Sequence, residues 1–160
     1  MALKWQRRSG MGKVFEDYLS EIQMDMLSVC LEYANHKVDR VFVYASNENN
    51  VISSDCFFEI NHQIVKKGSL DEIDSTIYDT SFKRQIACLK ALTKDIKDIA
   101  SLCKENNRPT PTEIRLFYNV QTQKAGANYQ YDPVVAKTKN GISEDVVNDW
   151  IAEERGKLIV

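Results

Sequence analysis

Thiols are the side chains in this sequence best suited to chemistry. Cysteines stand at 30, 56, 88 and 103, and histidines at 36 and 62. A thiolate is a nucleophile and a soft metal ligand, and an adjacent imidazole can serve as its base. The linear spacing favours neither use. No C-x-x-C pair occurs, and three of the four cysteines continue apolar patterns, where a thiol serves as a small buried hydrophobe. Cys56 and His62 share strand parity, yet along one continuous strand they would stand about 20 Å apart, far outside hydrogen-bond reach. His36 falls at a helix end, where a cation caps free carbonyls, and His62 continues a strand. A zinc site needs at least three converging ligands, and nothing in the order of residues offers them. The glycines are scattered, with no phosphate-binding loop. We therefore expect no catalytic group, no cofactor and no metal.

Carboxylates are more suggestive. Asp71, Glu72, Asp74 and Asp79 lie in a segment without a basic residue between Lys67 and Lys83, and Asp145, Asp149, Glu153 and Glu154 cluster near the C-terminus. Acidic patches steer association with basic partners. A solvated loop and a solvated helix face account for either patch taken alone.

The elements that carry these groups are legible from periodicity. Phe15, Tyr18, Leu19, Ile22, Met26, Val29, Cys30 and Tyr33 recur at three- and four-residue steps and predict a helix over about 13–34. Arg40 to Ala45 is β-branched and aromatic, a strand covered on both faces. The asparagines at 47, 49 and 50 mark a turn. After it, Cys56, Phe58, Ile60, His62 and Ile64 share one parity, as one strand or two short ones pairing back as a hairpin. Residues 68–80 read as a loop with local helical tendency, where Ser69 and Glu72 fit a capping box. Phe82, Ile86, Leu89, Leu92, Ile96, Ile99 and Cys103 form one stripe of a second long helix, which Pro109 stops. Residues 113–120 and 127–132 alternate as two strands joined by a polar loop at 121–126, with Tyr129, Tyr131 and Phe58 assigned to the core. A last helix starts at the N-cap Ser143, carries Val146, Val147, Trp150 and Ile151 as an apolar face, and stops at Gly156.

The chain of 160 residues is 43% apolar and 28% charged, enough for one domain with its own core. We expect that domain over 12–160, with 1–11 as a flexible extension, since Met11 offers an alternative start. No apolar run reaches membrane-spanning length, and no secretory signal is visible. The net charge of −2 argues against a nucleic-acid surface built on charge. Unpaired thiols fit a reducing cytoplasm. The order α-β-β-α-β-β-α predicts an α+β fold: a largely antiparallel sheet of about four to five strands with helices packed on one face. The irregular C-terminal part or a partner protein would cover the other face.

The strand Val-Phe-Val-Tyr-Ala at 41–45, the segment Ser-Asp-Cys-Phe-Phe-Glu-Ile at 54–60, and the passage from Leu92 to Asp132 together resemble the YezG-like immunity and antitoxin family of bacteria. In the last passage the resemblance is carried by Ile96, Ile99, Leu102 and Lys104-Glu105. It continues through Pro109 and Pro111, then 116–120, then the closing Tyr129 to Asp132. It covers about two thirds of the chain, as pattern more than identity. It departs at Thr112, where the family often has tryptophan, in the lysine content of the helix, and over 136–160. The resemblance implies a cytoplasmic, non-enzymatic protein that binds and neutralises a cognate toxin, commonly a nuclease. An inhibitor of a basic nuclease domain should present carboxylates and aromatics, which selects Asp71, Glu72, Asp74, Asp79, Asp149, Trp150 and Glu153 as the partner-binding surface. Two other readings remain: an assembly module that forms homodimers, and a small ligand-binding protein or enzyme with a pocket at His62 or Cys56.

Overall fold

The computed structural model describes residues 14–159, so the expected N-terminal extension lies outside the described residues. Five strands form one antiparallel sheet in the order β3-β2-β1-β4-β5: β1 (Arg40–Glu48), β2 (Val51–Ile60), β3 (Gln63–Lys66), β4 (Glu113–Asn119) and β5 (Lys124–Gln130). The helices are α1 (Phe15–Tyr33), the single turn α2 (Leu70–Ile73), α3 (Phe82–Glu105) and α4 (Ser143–Leu158). The α+β class and the antiparallel sheet are as the sequence predicts.

β1 is the central strand, and its alternation sets both cores. Val41, Val43 and Ala45 join Cys56, Phe58, Ile114, Leu116 and Tyr118 under α1 and α3. Phe42 and Tyr44 point the other way, with Phe57 and Ile64, onto α4. The expectation of helices on one face is thus corrected: α4 covers the second face. Trp150 decides this placement. It meets Phe57 at 4.9 Å and Phe42 at 5.7 Å, both edge-on, a geometry that aromatic quadrupoles favour. Val146, Val147 and Ile151 fill the space around it. The link into α4 is fastened by Glu48, whose carboxylate accepts hydrogen bonds from the backbone N–H groups of Val134 (3.1 Å), Val135 (2.9 Å) and Ala136 (3.3 Å).

Element ends follow local chemistry. The Asp17 carboxylate accepts from the Val14 N–H at the start of α1. Asn35 and His36 close that helix in left-handed conformation, with His36 N–H returning to the Leu31 carbonyl at 2.8 Å. Ser81 caps α3, and Asn107, also left-handed, ends it before Pro109. The buried stripe of α3 is Cys88, Leu92, Asp95, Ile96, Ile99 and Cys103. It is rotated from the predicted stripe, so Phe82 lies in solvent and Ile86 and Leu89 line an outer groove with Lys90, Lys94 and Lys97.

Two hairpins differ from prediction. Asn61 and His62 adopt positive φ and turn the chain back, so Ile64 lies on the face opposite Phe58. The loop expected at 121–126 is shorter, because Lys124, Ala125 and Gly126 belong to β5. Gly126 stands opposite Phe117. A β-carbon there would meet the Phe117 ring at 2.2 Å, so the missing side chain is what lets the ring lie across the strand. At the C-terminal end, Gly156 falls inside α4 and Ser143 is its first residue. Ser69 makes no capping bond to α2.

Candidate functional site

The residues proposed from sequence as a partner surface are divided between the two faces of the sheet. Asp71 and Glu72 are exposed on α2, beside core residues Leu70 and Tyr78 of the α1/α3 face. Asp149 and Glu153 are exposed on α4, on the opposite face of the sheet. Asp74 and Asp79 serve the backbone. Asp74 accepts from the Thr76 N–H and hydroxyl, and Asp79 accepts from the Ser81 N–H just before α3. Those bonds hold both carboxyls below the ordinary aspartate range. Glu153 lies 3.7 Å from Arg115. Trp150 is a correction: it is 5% exposed and belongs to the second core, because the inward rows of β1 and β2 present rings it can cover. The Arg115 guanidinium sits over its ring at 5.0 Å.

Tyr131, assigned to the core from its alternation, is 55% exposed, since β5 ends at Gln130. Phe58 is fully buried, and Tyr129 packs partly buried against the core.

A groove opens where α1 passes the outer side of β5, which among the described residues pairs only with β4. It is about 520 Å³ and is walled by Phe15 and Leu19 from α1, Pro109 and Pro111 from the link after α3, Tyr129 from β5 and Tyr131 just beyond its end. Its polar content is sparse and placed. The Gln23 side-chain amide donates to the Tyr129 hydroxyl at 2.6 Å. At the rim Arg108 pairs with Glu16 at 3.1 Å and stacks on Phe15 at 4.0 Å. α1 carries Glu16, Asp17, Glu21, Asp25 and Glu32 and no lysine or arginine, but of these only Glu16 lines the groove, where Arg108 balances it.

The second assembly is chemical. Cys30 of α1, Cys56 of β2 and Cys88 of α3 bring their sulfurs within 4.8 Å of one another, and all three residues are buried. The expectation that no three ligands converge is overturned. Each cysteine looked like an ordinary apolar position, because each occupies the inward row of its own element. Val43 of β1 is the cross-strand neighbour of Cys56, which fixes that thiol on the face where α1 and α3 cross. Cys88 is the thiol held well below the usual range: Cys30 and Cys56 hydrogen-bond to it, and Lys67 and Arg84 lie close enough to favour its anion. Cys30 is raised by burial and by its bonds to the other two thiols. Cys103 lies apart from this cluster and lines the groove instead.

His62 is far from this chemistry. It sits exposed in the β2–β3 turn, and its ring nitrogen contacts the Leu158 carbonyl at 2.9 Å. The Cys56–His62 pair is not formed: Cys56 faces the α1/α3 core, whereas His62 meets the end of α4. Among the described residues no helix is long and apolar enough to cross a membrane. Compared with models of known families and with curated proteins, the chain matches none.

Proposed function

We propose that this protein acts by binding another protein, as an immunity-type inhibitor that neutralises a toxin with a basic nuclease domain. The observation that carries the reading is the groove between α1 and the free edge of β5. An extended segment of a partner can pair its backbone with an open strand while its apolar side chains fill an adjacent groove. The carboxylates that α1 carries outside the groove suit a basic partner, since charge complementarity speeds encounter and suppresses wrong partners. On this reading the interface lies away from α2 and α4, and the exposed carboxylates of Asp71, Glu72 and Asp149 act only as long-range steering charges. The resemblance to the YezG-like family supports the same function, and the partner is a protein rather than a nucleic acid or a membrane.

The test is co-purification with the product of the neighbouring gene, followed by its nuclease assay. The expected result is a stable complex and loss of nuclease activity. Leu19→Arg should weaken the complex about tenfold or more, because an apolar anchor of the groove is lost. Equal affinity of that variant sinks the groove as the interface. Recovery of only a second copy of this chain, with a doubled mass in solution, replaces the inhibitor reading with an assembly module paired through β5.

A further inference from the structure

We propose that Cys30, Cys56 and Cys88 bind one divalent ion of the zinc group as three thiolates. Three elements distant in sequence each contribute one sulfur to a space 4.8 Å across. Three thiolates around one ion at the ordinary zinc–sulfur distance of about 2.3 Å would stand about 4 Å apart. Closing onto an ion therefore needs movements of about an ångström or less, within reach of side-chain torsions alone. Soft sulfur donors select soft or borderline ions over magnesium or calcium.

Charge selects the oxidation state. Three thiolates and a divalent ion leave one negative charge in a buried place, which must be balanced. Lys67 is itself buried and sits 3.3 Å from Asp55, so that pair is neutral overall. Arg84 supplies the remaining positive charge. Its Nη2 donates to the Glu32 and Tyr33 carbonyls at the end of α1, and its buried Nε has no hydrogen-bond partner among the described residues. A monovalent ion would leave a further uncompensated negative charge.

The site also has a way in. Cys88 lines a pocket of about 220 Å³ between α1 and α3, together with Glu32, Tyr33, Arg84 and Ala87. An ion can enter there, and the same opening gives a fourth, non-protein ligand a place on the Cys88 side. Binding forms three sulfur–metal bonds and releases to solvent the protons of those thiols that still carry them. No electron is transferred. The metal would tie α1 and α3 to the sheet at one point, independently of any partner in the α1/β5 groove.

The experiment is titration of the reduced, chelator-washed protein with Cd(II), followed through the ultraviolet thiolate-to-metal band, and with Zn(II), counted by native mass spectrometry. One ion per chain is expected, in the wild type and equally in Cys103→Ala. Cys88→Ser should bind at least about a hundredfold more weakly, beyond the loss seen when only an outer partner of a ligand is removed. A measurement on the wild type alone guards against misfolding of that variant: Cd(II) should protect Cys88 from alkylation and leave Cys103 unprotected. The proposal is overturned if the wild type binds no ion, if Cys103→Ala loses it as fully as Cys88→Ser, or if Cu(I) binds where Cd(II) and Zn(II) do not.

Discussion

Replacing Asp95 by asparagine should stabilise the protein, and more so as the pH rises. Asp95 lies on the inward stripe of α3, 5% exposed, and one of its carboxyl oxygens meets no hydrogen-bond donor among the described residues. It faces Asp25 of α1, which is exposed. Burial first, then the hydrogen bond and charge of Asp25, push the Asp95 carboxyl from 3.8 to about 8, against an opposing pull from Lys94. The folded protein therefore holds a proton at Asp95 that the unfolded chain releases above about pH 4. Between those values the unfolded state binds fewer protons, so stability falls with rising pH, and above about pH 8 the whole loss is in place. A wholly shielded group would lose roughly 6 kcal/mol across that window. Asp25 is in water at the α1–α3 seam, and screening there reduces the loss to roughly 2 kcal/mol. Asparagine removes the titration and can donate its amide to Asp25. Urea unfolding at pH 5 and pH 8.5 measures it. Asp95→Asn should gain roughly 2 kcal/mol over wild type at pH 8.5 and far less at pH 5. Parallel pH profiles for the two proteins would refute a proton shared between these carboxyls.

Glu48→Gln should cost about 2–3 kcal/mol and speed amide exchange at Val134, Val135 and Ala136, because three N–H groups lose a carboxylate and meet one amide oxygen and one N–H₂ group instead. Unchanged exchange at those three amides would show that α4 docks without this anchor. Gly126→Ala should cost about 1 kcal/mol, as the new methyl drives the Phe117 ring off the strand into solvent. Chemical denaturation reads the loss, and in a Phe117→Ala background the same change should cost close to nothing.

The sequence by itself determined the element types and their order, because hydrophobic periodicity reports the face each element buries. The 19-residue α1, the 24-residue α3 and the central strand β1 were all legible in this way. β1 could be read as covered on both faces, since Val41, Phe42, Val43 and Tyr44 are consecutive and apolar. What periodicity cannot report is which element covers which face. Trp150 reads equally well as an exposed anchor or a core residue until Phe42 and Phe57 are seen beneath it. One turn at Asn61–His62 put Ile64 on the face opposite the one its parity predicted, because two left-handed residues replace a strand step. The thiol cluster was out of reach for the same reason. Cys30, Cys56 and Cys88 are separated by 26 and 32 residues. Only the crossing of α1 and α3 over β2 makes their three inward positions a single place.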